Sequence, residues 1–479
     1  MRSVKTVAVV AAIALGAAGC GGGAAGTETD YAQAAENPPT PTDEDNQSTF
    51  AVDIDTASYE YARQMIHNGR LPDPDMVRPE EFVNAFSQDY TEPDDHGFSV
   101  SVDGVATPDW YASPDAPTHL VRVGLQTKSE PEEERSDARL TFVIDTSGSM
   151  EAEDRLPVVQ DSLHVLVDQL RPGDAVALVT YSDSAEVVQP MTSAANKDNL
   201  HAAIDSLEIG GSTNVEEGLR LGYEVASEGF GLGIVNRVIL MSDGLANTGS
   251  TEYGEILDTA RDGAADGIAL LCIGVGFEYG DDLMERLADN GDGFAVYFST
   301  ATQAEKLFKR QLAATLAVRA KDAKVQVTFD PEVVESYRLI GFENRDIADE
   351  DFTNDAVDGG EVGPGHSVTA LYAVTLTEAA QGAVADVAVR WHDPETGDVD
   401  TSEGTADVAA AAESLNEASP RLGVDIVAAA FAEVLRGGEY APDVELTVLA
   451  DLARELANTT EDAEVTELAD TIAAAAALM

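Results

Sequence analysis

Basic residues are scarce in this sequence. Its 479 residues include 28 Lys and Arg against 88 Asp and Glu, which gives a formal net charge of −60 at pH 7. A chain this acidic repels phosphate backbones and lacks the electrostatic attraction that dominates affinity for nucleic acids. We therefore exclude general nucleic-acid binding. The acidity fits a high-salt environment or a position outside the cytoplasm, and composition alone does not separate the two.

Cysteine is almost absent, because the chain holds only Cys20 and Cys272. Two cysteines cannot form a disulfide framework if one of them carries lipid. Cys272 lies in the apolar run 269–273, and we expect it to be a small buried hydrophobic side chain without thiol chemistry.

The first twenty residues have the pattern of a secretion signal. Arg2 and Lys5 precede an apolar stretch at 7–18, which is too short to span a bilayer comfortably and therefore favours a cleaved signal. Small residues at 17–19 lead directly into Cys20. This arrangement resembles the lipobox of bacterial lipoproteins, in which the cysteine is lipidated and becomes the new N-terminus. An ordinary secretory signal with an incidental cysteine is the alternative.

The remaining chain divides into a tether and three blocks. Residues 20–47 are rich in Gly, Ala, Thr, Pro, Asp and Glu, so we expect the lipidated Cys20 to be followed by a flexible tether. The length and the 44% hydrophobic content suffice for several folded units. We assign an N-terminal α+β region to 48–137, a central unit to 138–318 and a C-terminal extension to 319–479. The extension reads as a β unit to about residue 410 and as helical from about residue 421.

The central unit alternates apolar strands with helical segments. Val, Ile and Leu fill the strands almost continuously, as expected when helices cover both faces of a sheet. This alternation predicts an α/β fold with a doubly wound, mostly parallel sheet. The predicted strands are 140–144, 175–180, 237–241, 268–275 and 294–298, and the predicted helices are 156–170, 197–207, 215–227, 256–265 and 282–288.

Oxygen-bearing side chains cluster where two of these strands end. Strand 140–144 runs into Asp145, Ser147 and Ser149, and strand 237–241 is followed after one residue by Asp243. Between them, Thr213 lies at a loop-to-helix junction. Ligands of open α/β sheets bind beyond the carboxyl ends of the strands. A set of oxygen donors without sulfur or imidazole indicates a hard cation, Mg²⁺ foremost, with Mn²⁺ or Ca²⁺ as alternatives.

These five residues resemble the metal-ion-dependent adhesion site of the von Willebrand factor A domain. The family motif is Asp-x-Ser-x-Ser, a distant Thr and a later Asp. The resemblance implies that Ser147 and Ser149 bind the metal directly, and that Thr213 and the two aspartates bind it directly or through water. It also implies that a Glu or Asp of a partner supplies the last ligand.

Purely structural roles for the same residues are the alternative to metal binding. Thr213 followed by Glu216 is a capping-box pattern, and Ser149 could cap the helix that follows. Asp243-Gly244 is a common turn pair.

Segments outside the central unit resemble the bacterial envelope proteins called YfbK-like. The segments that carry the resemblance are 53–59, 78–82, 337–345 and 365–372. The resemblance implies the same order of parts, an N-terminal region, an A domain and a C-terminal extension, over most of residues 48–479.

The sequence therefore predicts a metal-dependent protein-binding module, lipid-anchored on the extracytoplasmic face of a bacterial membrane in the cell envelope. A metallohydrolase is the first alternative, but it needs a general base near the activated water. None of the seven histidines adjoins the motif, and neither His-Glu-x-x-His nor Gly-x-Ser-x-Gly occurs. We therefore predict that the protein is not an enzyme. An envelope-assembly scaffold whose metal is ligated by the chain's own acidic side chain is the second alternative.

Two further acidic motifs point to other chemistry. Asp53-x-Asp55 invites comparison with aspartyl phosphotransferases, but the strand before it is not a continuous hydrophobic run. The loop 349–360 has the acidity of a calcium loop, yet Asn354 and Gly360 stand where an EF-hand needs Gly and Glu. We expect a solvated acidic loop there.

Overall fold

Three β-sheets organise the part of the chain that the computed structural model describes. That part comprises residues 36–52, 55–131, 135–244, 253–276, 282–298, 318–357, 359–378, 380–394, 396–407 and 411–479. The predicted signal at 1–19 and the predicted lipidation site Cys20 lie outside these residues.

The strands and helices follow in chain order. The strands are β1 (Thr40–Pro41), β2 (Gln47–Ala51), β3 (Phe98–Ala106), β4 (His119–Thr127), β5 (Ala138–Asp145), β6 (Ala175–Tyr181), β7 (Ala185–Ser193), β8 (Val235–Ser242), β9 (Ala269–Val275), β10 (Phe294–Phe298), β11 (Ala320–Phe329), β12 (Val334–Ile340), β13 (Gly360–Val362), β14 (Ser367–Leu376), β15 (Ala383–His392) and β16 (Val399–Asp407). The helices are α1 (Ala57–His67), α2 (Pro79–Asn84), α3 (Leu156–Gln169), α4 (Lys197–Asp205), α5 (Val215–Glu228), α6 (Tyr253–Ala265), α7 (Asp282–Asn290), α8 (Pro420–Arg436), α9 (Leu446–Thr460) and α10 (Ala463–Ala476).

The central sheet has the strand order β10-β9-β8-β5-β6-β7. Its pairs are parallel except for β6 with β7. Helices α3 and α4 cover one face, and α5, α6 and α7 cover the other. The predicted α/β fold with a doubly wound, mostly parallel sheet is therefore confirmed, including all five predicted strands and all five predicted helices.

The strand β7 was not predicted. It pairs antiparallel with β6 at the edge of the central sheet, and none of its residues is buried. Pro190 lies within it, and proline in sheets is restricted to edge strands because it cannot donate a backbone hydrogen bond. An edge strand with little buried apolar surface leaves no hydrophobic pattern in the sequence.

The two outer sheets combine strands from both sides of the central unit. One has the order β1-β12-β14-β4-β3, and the other has the order β13-β11-β15-β16 with β2 also on β11. All their pairs are antiparallel. Apolar side chains of both sheets meet in one core, which includes Phe98, Val123, Val325, Tyr372 and Trp391. The N-terminal region and the extension thus build one sandwich.

Helices cover the other face of the sheet that contains β4 and β14. Helices α1, α2, α8, α9 and α10 share a core with residues of these strands. Helix α8 is buried nearly all round, as expected for the central helix of such a layer. Arg122 of β4 bonds with Asp425 of α8 at 2.8 Å, and Arg338 of β12 bonds with Glu433 at 3.0 Å. These buried ion pairs join α8 to the sheet.

The predicted tether, 20–47, extends too far toward the C-terminus and overlaps the folded body. Asn37 Nδ2 donates to the Gly341 carbonyl at 2.8 Å, and Thr42 Oγ1 donates to the Val334 carbonyl at 2.5 Å. Strand β1 also pairs with β12. Residues 36–47 therefore belong to the folded body. Hydrogen bonds to the edge of a sheet hold this segment, so its sequence shows little hydrophobic pattern.

The two acidic motifs outside the central unit have structural contacts. Asp55 is 2% exposed, accepts a hydrogen bond from the Ala295 amide of β10 at 2.9 Å and pairs with Arg345 at 3.3 Å. Asp53 lies outside the described residues. In the loop 349–360, Asp349 accepts a hydrogen bond from Thr49 Oγ1 at 2.5 Å.

Within the described ranges, none of the helices is both long and apolar enough to cross a bilayer.

Stability should depend on pH through His366, which lies in the turn before β14. Burial and the nearby Arg237 lower the pKa of this imidazole from 6.5 to about 4. The unfolded chain therefore binds more protons between these two values, so the stability present above pH 6.5 falls as the pH falls toward 4. As the pH falls from 7.5 to 5, the free energy of unfolding of H366Q should rise by about 2 kcal/mol relative to that of wild type.

Urea unfolding of both proteins across this pH range measures the difference. H96Q, at an exposed loop position, is the matched control and should follow wild type. A pH-independent difference between H366Q and wild type would contradict the assignment.

Candidate metal centre

The five predicted residues lie at the point where the strand order of the central sheet reverses. Strand β5 pairs with β6 on one side and with β8 on the other, and all three run parallel. Asp145 is the last residue of β5, and Asp243 follows the last residue of β8. Crevices at such points, beyond the carboxyl ends of the strands, are where open α/β sheets bind ligands.

Asp145 is held in one orientation by two hydrogen bonds. Its Oδ1 accepts from the Ser147 amide at 2.8 Å, and its Oδ2 accepts from Ser242 Oγ at 2.8 Å. The carboxylate is fully buried. Burial raises the pKa of Asp145 above its ordinary value, while the bonds from Ser147 and Ser242 favour the charged form. A cation beside it would compensate the cost of burying that charge.

The two serines and Asp243 form a continuous chain of hydrogen bonds. Ser147 Oγ and Ser149 Oγ are 2.9 Å apart, and Ser149 Oγ donates to Asp243 Oδ1 at 2.9 Å. Ser147 is buried, whereas Ser149 is exposed. The two serine hydroxyls therefore face the same point. The structure brings Asp145, Ser147, Ser149 and Asp243 together.

Thr213 lies on a loop that is bonded to the loop after β5. The Gly210 amide donates to the Thr146 carbonyl at 2.5 Å, and the Gly148 amide donates to the Gly211 carbonyl at 2.9 Å. Thr213 itself is 3% exposed. The two loops adjoin, so Thr213 is carried to the same edge of the sheet as the other four residues.

The capping alternatives are not what the structure shows. Asn214, not Thr213, caps α5, because its Oδ1 accepts from the Glu217 amide at 3.3 Å. Helix α3 is preceded by Arg155, so Ser149 does not cap it. The residues at the N-caps of α5 and α3 are therefore Asn214 and Arg155.

The close approach of the two loops requires glycine at 210 and 211 rather than at 148. A Cβ on Gly210 would collide with the Ser182 side chain, and one on Gly211 would collide with the Asp183 carboxylate. A Cβ on Gly148 would meet only the Gly211 carbonyl, at an ordinary 3.6 Å. Position 148 therefore has room for a side chain.

Arg155 and Ser242 belong to the site and were not predicted. Arg155 Nη1 donates to the Ser149 carbonyl at 2.9 Å and forms a short ion pair with the Asp243 carboxylate. Ser242 orients Asp145. Ser242 directly precedes Asp243 at the end of a predicted strand, which is the signal that could have found it. No pattern separates Arg155 from an ordinary surface arginine.

The donor set fits a hard divalent cation. Two carboxylates, two serine hydroxyls and a neighbouring threonine supply oxygen donors, and no sulfur or imidazole is among them. Arg155 already places positive charge against Asp243. The five side chains thus supply two negative charges, and Arg155 compensates the one on Asp243.

A second group of metal-type ligands lies in the outer sheets. Asp322, Asp355 and His392 converge within 4.8 Å of one another. Lys324 Nζ lies 3.0 Å from Asp322, and Arg390 pairs with Asp355. The charges of these carboxylates are therefore already compensated by two basic side chains.

The fold and the site define a protein with a von Willebrand factor type A domain. A family model described as von Willebrand factor type A domain matches residues 140–310. A model described as von Willebrand factor matches residues 25–115, and one described as uncharacterized protein YfbK, C-terminal, matches residues 314–387. The chain therefore carries a von Willebrand factor type A domain followed by a YfbK C-terminal domain.

Individual relatives match parts of the chain. The chain is 38% identical over 351 residues to the uncharacterized protein YfbK of Escherichia coli (strain K12), which covers 72% of this chain and 61% of YfbK. It is 27% identical over 183 residues to the inter-alpha-trypsin inhibitor heavy chain H2 of Sus scrofa, covering 36% of this chain and 20% of that protein. The chain thus spans less than two thirds of the length of either relative. The resemblance to YfbK-like proteins is confirmed.

A solved structure described as von Willebrand factor type A from Catenulispora acidiphila also matches. Its identity is 15%, its TM-score is 0.47, and the match covers 78% of this chain and 89% of that one.

The matched families indicate protein–protein interaction or adhesion as the general function, and A domains often bind a divalent metal. None of the matches described above indicates an enzymatic family.

The Arg155–Asp243 pair should stabilise the metal-free protein. The Arg155 side chain is 14% exposed and that of Asp243 is 4% exposed. Removing the guanidinium therefore leaves the nearly buried Asp243 carboxylate without its cation. We expect R155Q to lower the free energy of unfolding by about 2 kcal/mol in chelator. Saturating Mg²⁺ should reduce this loss, because the ion would supply the missing positive charge.

A double-mutant cycle of R155Q with D243N, measured by urea unfolding in chelator, tests the pair. R261Q is the matched control, since its exposed pair with Asp258 should contribute less than about 1 kcal/mol. Additive effects of R155Q and D243N would contradict the predicted coupling.

Proposed function

We propose that this chain is a membrane-anchored, extracytoplasmic protein-binding module that captures an acidic side chain of a partner through a divalent metal. The observation that carries the proposal is the hydrogen-bonded chain of Ser147, Ser149 and Asp243 beside the buried Asp145, at the reversal point of the sheet. Asp145, Ser147, Ser149, Thr213 and Asp243 would hold the ion. Mg²⁺ is the expected metal, with Mn²⁺ or Ca²⁺ as substitutes.

The charge balance of the site explains why the partner would be acidic. Asp145 and Asp243 are the carboxylates among the five residues, and the other three donors are neutral. A divalent ion in such a shell remains electrophilic and takes one more anionic ligand readily. A bound ion also reverses the local sign on a chain whose formal charge is −60. A Glu or Asp carboxylate of a partner meets both requirements.

Two contacts favour an open binding site over the alternatives. Ser147 Oγ and Ser149 Oγ bond with each other, and Ser149 Oγ bonds with Asp243, so these contacts stay within the five residues. This favours an external acidic ligand over a self-ligated scaffold. Within the described ranges, no histidine hydrogen-bonds with the five residues, so the general base of a hydrolase is not provided by imidazole.

The membrane anchor is proposed from the sequence alone. Small residues at 17–19 directly before Cys20 match the pattern of a lipidated cysteine. Each buried methylene of an acyl chain contributes about 0.8 kcal/mol, so two or three chains would hold the protein firmly on a membrane. The folded body begins by residue 36, so a short segment would separate it from the lipid.

Metal binding should require Asp145. In D145A, the buried carboxylate that accepts from Ser147 and Ser242 is absent, so we expect Mg²⁺ and Mn²⁺ affinity to fall at least about 10-fold. Isothermal titration of the full-length chain measures the affinity, and the shift of the thermal unfolding midpoint with Mg²⁺ gives a second readout. D351A, in the acidic loop 349–360, is the matched control and should bind as wild type does.

Partner capture should depend on the same site. Retention of proteins from native membranes by the immobilised chain is expected in Mg²⁺ and not in chelator, with D145A retaining none. Retention that is equal for wild type and D145A would overturn the proposal, as would equal retention with and without the metal.

The anchor is tested at Cys20. We expect C20S to lose incorporation of labelled fatty acid and to leave the membrane fraction, whereas C272S, which changes a fully buried cysteine of β9, keeps both. Labelling followed by membrane fractionation measures the two effects. Label that persists in C20S would show that the lipid is elsewhere.

A further inference from the structure

Two histidines of the central unit face each other across adjacent helices. His164 lies on α3 and His201 on α4, and their Nδ1 atoms are 2.6 Å apart. Their side chains are 30% and 28% exposed, so small ions can reach them. Neither residue belongs to the candidate metal centre, which lies at the carboxyl edge of the sheet.

The two imidazole rings lie end to end. Their planes are 24° from parallel and their centroids are 4.9 Å apart. The difference between this separation and the 2.6 Å between the Nδ1 atoms is about the distance from a centroid to its own nitrogen, taken twice. The Nδ1 atoms therefore point at each other, and a single position between them is accessible to both lone pairs.

The outer nitrogen of each ring faces a carboxylate. His164 Nε2 lies 3.1 Å from Asp205 Oδ1, and His201 Nε2 lies 3.3 Å from Asp168 Oδ1. A carboxylate at Nε2 favours a proton on that nitrogen, so Nδ1 is the atom that would bind the metal. Metal-binding histidines almost always have such a carboxylate, carbonyl or water on the second nitrogen, which orients the ring and raises its basicity.

We propose that His164 and His201 form a binding site for a divalent transition-metal ion that prefers imidazole ligands, with Zn²⁺ as its representative. The two Nδ1 atoms are the protein ligands, and water completes the coordination. An ion bound by both nitrogens at about 2.0–2.1 Å with a tetrahedral angle requires the two Nδ1 atoms to move apart by about 0.8 Å and the rings to turn so that their lone pairs converge, which these part-exposed side chains accommodate. The site is independent of the oxygen-lined centre, which suits Mg²⁺.

A proton occupies the position that the ion takes. A hydrogen bond between two Nδ1 atoms needs a proton on one of them. The ion replaces this proton, so binding releases it to solvent, as metal binding to histidine generally does. The ion then links α3 to α4 through both rings.

The local charge favours a cation here more than at the other histidine cluster. Within the described ranges, no Lys or Arg side chain pairs with the carboxylates of Asp168 and Asp205, and Lys197 bonds instead with the Asp168 carbonyl at 2.7 Å. At His392, by contrast, Arg390 and Lys324 already compensate the acidic neighbours. His392 is therefore the matched control for a histidine beside carboxylates that does not form the site.

The experiment is isothermal titration of the full-length chain with Zn²⁺ in excess Mg²⁺, which occupies oxygen-only sites. We expect one zinc site that weakens at least about 10-fold in H164Q and equally in H201Q, because a single imidazole cannot replace the pair. The double variant H164Q/H201Q should bind no more weakly than either single variant. H392Q and D145A should bind Zn²⁺ as wild type does.

Thermal unfolding supplies the second readout. Zn²⁺ should raise the unfolding midpoint of wild type and H392Q and leave that of H164Q and H201Q unchanged, because the ion links two helices only when both rings are present. Circular dichroism of each variant without metal would test whether the variant is folded. Zinc affinity that survives in the double variant, or that is lost in H392Q instead, would overturn the proposal.

Discussion

The parallel pairing of β5 with β8 is the interaction on which the candidate metal centre depends. The strands pair from Ala138 with Val235 to Ile144 with Met241, and their ends place Asp145 within 2.8 Å of the Ser242 hydroxyl. A register shift of one residue would turn alternate side chains to the opposite face and separate these groups. The apolar side chains of both strands are buried and hold the register. The burial that folds the sheet therefore also positions the two carboxylates.

The outer sheets combine strands that precede the central unit with strands that follow it. Strand β2 pairs with β11, and β4 pairs with β14, so segments more than 200 residues apart in the chain form single sheets. Closing such long loops costs conformational entropy, which the shared hydrophobic core offsets. Asp55 adds a direct bond from this body to β10 through the Ala295 amide. This bond joins the central unit to the outer body.

The central unit could be predicted from the sequence, as could the four site residues at strand ends, because both depend on local signals. Continuous apolar strands mark a buried parallel sheet, and Asp145, Ser147, Ser149 and Asp243 follow strand ends directly. The shared outer sheets and β1 depend on pairing between distant segments, which no local pattern records. Arg155 was missed because a basic residue before a helix carries no information about the carboxylate that it meets in space.

The acidity of the chain makes the proposed capture of an acidic partner selective. Screening at physiological salt limits electrostatic effects to about 8 Å, so the charges near the site decide the approach of a carboxylate. Glu151 and Glu153 are exposed on the loop after Ser149 and repel an approaching carboxylate. Among the described residues, Arg155 presents positive charge beside Asp243, and the proposed ion would add to it. A partner carboxylate would therefore gain attraction only when it is in direct contact with the metal, so the surrounding charge would reject acidic surfaces that cannot reach the ion.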